Sequence, residues 1–254
     1  MTQVSSVTDV TVIESVDSTN DAAKRRLAEG PQSTFCLAAK QQTSGRGRTG
    51  RAWSSMSGNL AMTLYQPIRG TYQEAARLSF AVSLAVKDTL EELAPKESVR
   101  IKWPNDVLLN QRKVCGILLE NIGTVTDDTL GVLIGIGLNL ASHPEPHECN
   151  WPPTSVAAET GIALSFDAAL ASLLRSVPTR IESDINKGFN ATRQDWLSCA
   201  VRLGENVSVR LPNTELRGRF MDIDETGALV LDTPSGVRKI TAGDVFFPED
   251  AECS

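Results

Sequence analysis

Gly45-Arg46-Gly47-Arg48-Thr49-Gly50-Arg51-Ala52-Trp53 separates two very different folds. Its glycines at 45, 47 and 50 satisfy G-x-G-x-x-G, the fingerprint of a doubly wound dinucleotide-binding sheet. That fingerprint has to leave a buried strand and open a helix, so that a pyrophosphate rests on the helix N-terminus. Here the polar run Lys40-Gln41-Gln42-Thr43-Ser44 precedes it, and Arg51 to Gly58 shows no helical period. Arginines inside the turn would also crowd it. The Rossmann reading fails. A Walker A loop fails too, because no Gly-Lys-Ser or Gly-Lys-Thr occurs. What remains is a flexible loop whose glycines turn backbone N–H groups toward an anion and whose arginine forks match phosphate oxygens. Trp53 adds an apolar wall. The loop reads as closing over a phosphorylated, partly apolar ligand. A solvated basic loop is the plainer alternative, and other motifs must decide between them.

The 254-residue chain is 41% hydrophobic and 22% charged, the composition of a globular protein with a real core. Its net charge of −6 excludes nucleic-acid binding by bulk electrostatics, so the basic loop is a local feature on an acidic background. Met1-Thr2-Gln3-Val4-Ser5 does not open a secretion signal, and no apolar run is long enough for a bilayer. Cys36, Cys115, Cys149, Cys199 and Cys253 lack the spacing of a disulfide framework, which suits reduced thiols. The expected location is cytoplasmic, away from membranes.

Outward from the loop, residues 16–31 read as a helix, with Ser18 and Asp21 as a capping pattern and Gly30-Pro31 as a stop. Thr34 to Ala39 and Leu60 to Tyr65 read as strands. Leu78, Val82, Ala85, Val86, Leu90 and Leu93 mark one face of a helix over 73–93, about 30 Å long at 1.5 Å per residue. Val114 to Leu119 and Leu130 to Leu140 are apolar, β-branched runs typical of strands covered on both faces. A helical period returns from Phe166 to Phe189, where Pro178 should kink or divide the helix. After Cys199 come short strand-like pieces at 207–209, 218–223, 228–231 and 237–240, broken by Gly227 and Pro234-Ser235-Gly236, as in a small β-barrel. The expectation is an α+β fold. A mixed sheet with packed helices fills residues 1–199, and a small all-β unit fills 200–254.

Two further motifs carry chemistry. Lys102-Trp103-Pro104-Asn105-Asp106 is a turn that presents polar groups, followed by a hairpin through Asn110-Gln111-Arg112 into Lys113-Val114-Cys115-Gly116-Ile117. Lys113 and Gly116 there suit contact with an anion, although an ordinary hairpin with an exposed lysine would look the same. Gly135-Ile136-Gly137-Leu138-Asn139 places glycines inside the most apolar strand, which weakens it unless something approaches the backbone closely. A bulge or tight helix packing is the alternative.

With Asp17-Ser18-Thr19-Asn20 added, these motifs stand together and in order, and the chain resembles the biotin protein ligases, which join biotin to a carboxyl-carrier protein. The resemblance runs from about Val12 to Asn139, and the β-rich tail resembles that family's SH3-like C-terminal domain. It implies activation of biotin by ATP to biotinyl-5′-AMP, then transfer to a lysine of the biotin carboxyl carrier domain of a biotin-dependent carboxylase. No enzyme nucleophile is needed, which fits a motif set rich in Arg, Lys and Gly. Carried over by position, Ser18, Thr19, Asn20, Gln42, Gly47, Gly116 and Gly137 would hold biotin. Arg46 and Arg48 would grip the carboxylate and phosphates, and Lys113 would meet the reacting carboxylate or α-phosphate. Arg51, Trp53, Asn105 and Asn139 would lie on the ATP side, and Asp106 would orient the incoming lysine.

Mg²⁺ is implied as the companion of ATP, held mostly through phosphates. His143, His147 and Cys149 lie in a proline-broken loop without an evident fourth ligand, so no metal site is assigned. Some relatives carry an N-terminal helix-turn-helix. Here the first motif begins at Asp17, so a form without that domain and without DNA binding is expected. The alternatives are a lipoate or octanoate ligase or transferase of related fold, and a non-catalytic module gripping single-stranded nucleic acid.

Overall fold

The computed structural model describes residues 7–30, 33–94, 98–146, 151–211 and 213–246. The main sheet contains β1 (Asp9–Val16), β2 (Phe35–Gln42), β3 (Leu60–Arg69), β4 (Val99–Lys102), β5 (Asp106–Leu109), β6 (Arg112–Thr126) and β7 (Thr129–Leu138). The helices are α1 (Thr19–Ala28), α2 (Tyr72–Leu93), α3 (Val156–Thr160), α4 (Phe166–Lys187) and α5 (Phe189–Ser198). A second sheet holds β8 (Asn206–Arg210), β9 (Glu215–Ile223), β10 (Leu229–Thr233), β11 (Gly236–Ile240) and β12 (Asp244–Phe246).

The main sheet runs β1-β2-β3-β7-β6-β5-β4. It is mixed, since β1 pairs parallel to β2 and the other neighbours are antiparallel. A parallel pair needs a crossover, and α1 supplies it. Side chains along β2 alternate between two cores: Cys36 and Ala38 face α2 and α4, while Phe35 and Leu37 face α1 with Ala23, Tyr65 and Leu133. Two long helices cover one face, and the single short α1 covers part of the other. The uncovered part of that second face, over β6 and β7, is where the cavity described below opens.

The helix ends follow local chemistry. Ser18 accepts from the Asp21 amide at the start of α1, and Thr71 with Glu74 closes a reciprocal capping box on α2. The sequence reading of a helix from residue 16 missed β1, an edge strand whose side chains are largely exposed. The helix expected to kink or divide at Pro178 is not divided there and runs through it as α4; the division falls at Gly188, whose φ of 79° suits glycine. An interior proline costs about 3 kcal/mol. Leu173, Val177 and Ile181, buried in the core shared with α2, each contribute about 1.5–3 kcal/mol and outweigh it.

The tail strands lie where the sequence put them, with β12 in addition. They pair antiparallel in the order β11-β10-β9-β8-β12, leaving β11 and β12 as edges among the described residues, so the strand pairing does not close a barrel. This sheet shares a hydrophobic cluster with the main unit: Phe80, Ile101, Trp103 and Trp196 pack with Val207, Val209, Phe220 and Leu229. The Trp103 indole N–H donates to the Gly227 carbonyl at 3.1 Å, and Phe80 stands edge-on to Trp196 at 5.3 Å.

Candidate active site

A cavity of about 460 Å³ opens on the face of the main sheet that α1 only partly covers. Its floor is the aligned pair Gly116 on β6 and Gly137 on β7. What approaches those glycines is the chain's own Trp53. A side chain at Gly116 would meet the Trp53 ring at 2.8 Å, and one at Gly137 would collide with the indole. Neighbouring Gly135 likewise makes room for the Asn20 amide. The glycines inside the apolar strand are thus explained by close approach, not by a bulge.

One end of the cavity is neutral and dense in hydrogen bonds. Ser18, Thr19 and Asn20 are buried at the start of α1. The Thr19 amide donates to Gln42 Oε1 at 2.8 Å, and Thr63 Oγ1 lies 2.8 Å from Thr19 Oγ1 and 2.5 Å from Asn20 Oδ1. Asn20 Nδ2 donates to Glu120 at 2.6 Å, and Lys24 pairs with the same carboxylate at 2.8 Å. Burial alone would raise the Glu120 carboxyl, but Lys24 and Asn20 outweigh it and hold the group below the ordinary range.

The opposite end is cationic. Asp106, at the start of β5, receives Lys113 Nζ at 2.7 Å on one oxygen and Lys102 Nζ at 3.2 Å on the other. Burial pushes its carboxyl up, yet the two ammonium groups prevail and bring it down to about 2. Burial also pushes the Lys102 ammonium down, with Asp106 opposing, and that ammonium lies 4.9 Å from the Trp151 ring centre. Two cations around one carboxylate leave a net positive charge. Lys113 is the more exposed of the two lysines and sits 5.6 Å from the Trp53 ring centre. Hydrogen bonds from the Lys113 amide to the Pro152 carbonyl and from the Thr154 amide to the Lys113 carbonyl, both 2.8 Å, hold its backbone.

The glycine–arginine loop spans the mouth. Backbone bonds from Gly47 to the Arg51 carbonyl (2.7 Å) and from Trp53 to the Gly45 carbonyl (2.8 Å) fold it into a narrow ladder. Its arginines part company. Arg46 turns to α1 and pairs with Asp21 at 2.5 Å, with Glu120 at 3.9 Å. Arg48 points inward, 3.5 Å from Asn105 Oδ1, and burial pushes its guanidinium down while Asp244 and Asp106 oppose. Arg51 pairs with Asp244 on β12.

Every residue singled out from the sequence lines this one cavity: Ser18, Thr19, Asn20, Gln42, Arg46, Gly47, Arg48, Arg51, Trp53, Asn105, Asp106, Lys113, Gly116, Gly137 and Asn139. Two differ in posture from the expectation. Arg46 anchors the loop to α1, and the Asn139 amide bonds within the wall, donating to the Thr154 carbonyl and accepting from Asn59. Sequence reasoning gave no role to Lys102, Trp151, Asp244 or Phe246, which also line the cavity. Lys102 stood inside a recognised motif. Asp244 and Phe246 stood in an unremarkable tail. Of the histidine–cysteine group, His147 and Cys149 lie outside the described residues.

Residues 12–139 match the model of the biotin/lipoate A/B protein ligase family, and residues 203–247 match that of the biotin protein ligase C-terminal domain. The biotin–[acetyl-CoA-carboxylase] ligase of Paracoccus denitrificans is 42% identical over 91% of this chain and 97% of its own length. The chain belongs to the biotin protein ligase family. A Mycobacterium tuberculosis ligase of the same name is 33% identical over 92% of this chain and 87% of its own. The biotin protein ligase of Aquifex aeolicus, solved in complex with biotin and ATP, superposes with a TM-score of 0.74 at 28% identity, covering 94% of this chain and 98% of that one. Within this ligase fold the glycine floor belongs to the segment matching the biotin/lipoate ligase model, while Asp244 and Phe246 come from the segment matching the C-terminal domain.

Proposed function

We propose that the cavity binds biotin and ATP side by side, forms biotinyl-5′-AMP and passes the biotinyl group to a lysine of a carboxylase's biotin carrier domain. One observation supports this most directly: four separate segments bring a neutral hydrogen-bonding end and a cationic end to opposite sides of one glycine floor. The neutral end, with Ser18, Thr19, Asn20 and Gln42, suits the ureido ring of biotin, which offers N–H donors and a carbonyl acceptor. The cationic end, with Lys113, Lys102 and Arg48, suits the point where the biotin carboxylate meets the α-phosphate.

In the first step a carboxylate oxygen attacks the α-phosphorus and pyrophosphate leaves with its electron pair. Lys113 and Arg48 stabilise charge on the phosphate oxygens, and Trp53 walls the adenylate from water. Arg51 and Asn105 lie on the nucleotide side, with Asn139 bracing the wall behind. Mg²⁺ enters with ATP, bound largely through phosphate oxygens. In the second step the neutral ε-amine of the acceptor lysine attacks the acyl carbon and AMP departs. Asp106, held ionised, orients the incoming amine; Gly116 and Gly137 leave room for the Trp53 ring that walls the pocket, and Gly47 and Arg46 belong to the loop that covers the biotin. We read residues 1–199 as the catalytic part, residues 200–254 as an SH3-like C-terminal part, and the cytoplasm as the place of work, in keeping with the free buried thiols of Cys36, Cys115 and Cys199.

The test is the intact mass of a purified carrier domain after incubation with the protein, ATP, Mg²⁺ and biotin, with lipoate in a parallel tube. A gain of one biotinyl group, dependent on ATP and absent with lipoate, is the expected result. A gain with lipoate instead would replace the substrate, and no biotin-dependent pyrophosphate–ATP exchange would remove the activation step.

A further inference from the structure

Asp244 sits on β12, at an edge of the second sheet, yet its side chain serves the other sheet's cavity. Its two oxygens lie 2.6 and 2.7 Å from a single nitrogen of Arg51, Nη2. Arg51 Nε reaches its own loop at Thr49 Oγ1, 3.4 Å away. Among the described residues Nη1 makes no hydrogen bond, so the guanidinium is held by one edge with another left to donate. The Asp244 charge also acts on Arg48 and Lys102, the cations of the same wall. Backbone pairing of β12 with β8 fixes Asp244 independently of the loop. At the loop's exposed tip, Thr49 and Gly50 both carry positive φ, at 54° and 75°.

We infer that Asp244 is a positioning residue for nucleotide binding: it clamps Arg51 across the cavity mouth and presents Nη1 to the triphosphate. The inference rests on the ligase reading above. It follows from the arrangement of donors. A bare arginine on a glycine-flanked tip has to be ordered when ATP arrives, whereas a clamped one is ordered beforehand. A carboxylate that took both terminal nitrogens, Nη1 and Nη2, would compete with phosphate; one that takes Nη2 alone leaves Nη1 to donate. Arg46, tied to Asp21, holds the other side of the loop to α1, so the two acids secure it on opposite banks.

The experiment compares wild type, Asp244→Ala and Asp244→Glu in biotin-dependent pyrophosphate–ATP exchange, and in the rate of tryptic cleavage after Arg48 and Arg51. Asp244→Ala should raise KM for ATP about fivefold, the upper range for a half-exposed ion pair, and leave KM for biotin unchanged. It should also speed cleavage of the loop, and Asp244→Glu should restore both. Wild-type cleavage should accelerate with added NaCl, and that salt dependence should weaken in Asp244→Ala, where the Arg46 pair with Asp21 still ties the loop. An unchanged KM for ATP with unchanged cleavage overturns the inference, as does an equal rise in both KM values. Absence of biotin-dependent exchange in the wild type would instead remove the ligase reading, and the cleavage and salt arms would still decide whether Asp244 holds the loop.

Discussion

Lys113 and Lys102 share one carboxylate but differ in what they can reach. Lys102 is buried, and its ammonium is confined between Asp106 and the Trp151 ring. Lys113 is about a quarter exposed and borders the cavity beside Trp53. Removing Lys113 leaves Asp106 paired with Lys102, so Lys113→Ala should fold normally while its adenylation rate falls by about 100-fold or more, the range for a lost charge stabiliser. Normal pyrophosphate exchange in that variant would overturn its assignment. Asp106 carries a pH signature as well. Its folded pKa of about 2 lies below the ordinary value of 3.8, so the folded state binds its proton more weakly than the unfolded chain. The stabilisation, about 2 kcal/mol, is full above pH ~4 and lost as the pH falls toward 2. Asp106→Asn should therefore melt below wild type at neutral pH, with the gap closing on acidification; a gap that stays constant would refute the pairing.

At the scale of elements, the β6–β7 ladder does two jobs. It lies at the centre of the main sheet, and its glycines give Trp53 a seat. Gly137→Ala keeps the backbone pairing and unseats the indole, so KM values for biotin and ATP should rise about tenfold while the melting temperature shifts little. A large stability loss with unchanged KM would mark the glycine as a packing device only. These strands were legible because apolar runs with β-branched residues favour buried strands whatever surrounds them. The helix at 73–93 and its partner through Pro178 were legible from period, but the unbroken passage through Pro178 was not, because tertiary burial overrode a local penalty. β1 escaped notice for the reverse reason: an exposed edge strand needs no apolar face.

For the whole molecule, the site was legible where one short segment carried several chemical groups, as in the arginine loop or Lys102 to Asp106. It was not legible where a lone residue acquires meaning only through packing. Nothing near Asp244 hints at the loop it holds, nearly two hundred positions away. The contact between the sheets also sets how the molecule melts. Phe80, Trp103 and Trp196 belong to one hydrophobic cluster with the interior of the second sheet, so that sheet cannot unfold without exposing large side chains of the main unit. Calorimetry should show one transition, and Trp103→Ala should lower it by about 3–5 kcal/mol of stability. Two separated transitions would mean the sheets unfold independently.

The chain's tryptophans are divided between these roles. Trp103, Trp151 and Trp196 are buried, while Trp53 is half-buried on the loop beside the ammonium of Lys113. Trp103 and Trp196 sit in the core shared with the second sheet, whereas Trp53 and Trp151 border the cavity. Intrinsic fluorescence at equilibrium therefore carries a constant background from two indoles and a variable signal from the other two. A Trp53→Phe variant removes the loop's share of that signal and keeps the share of Trp151, so the difference between the two proteins is an optical probe of the loop without any label.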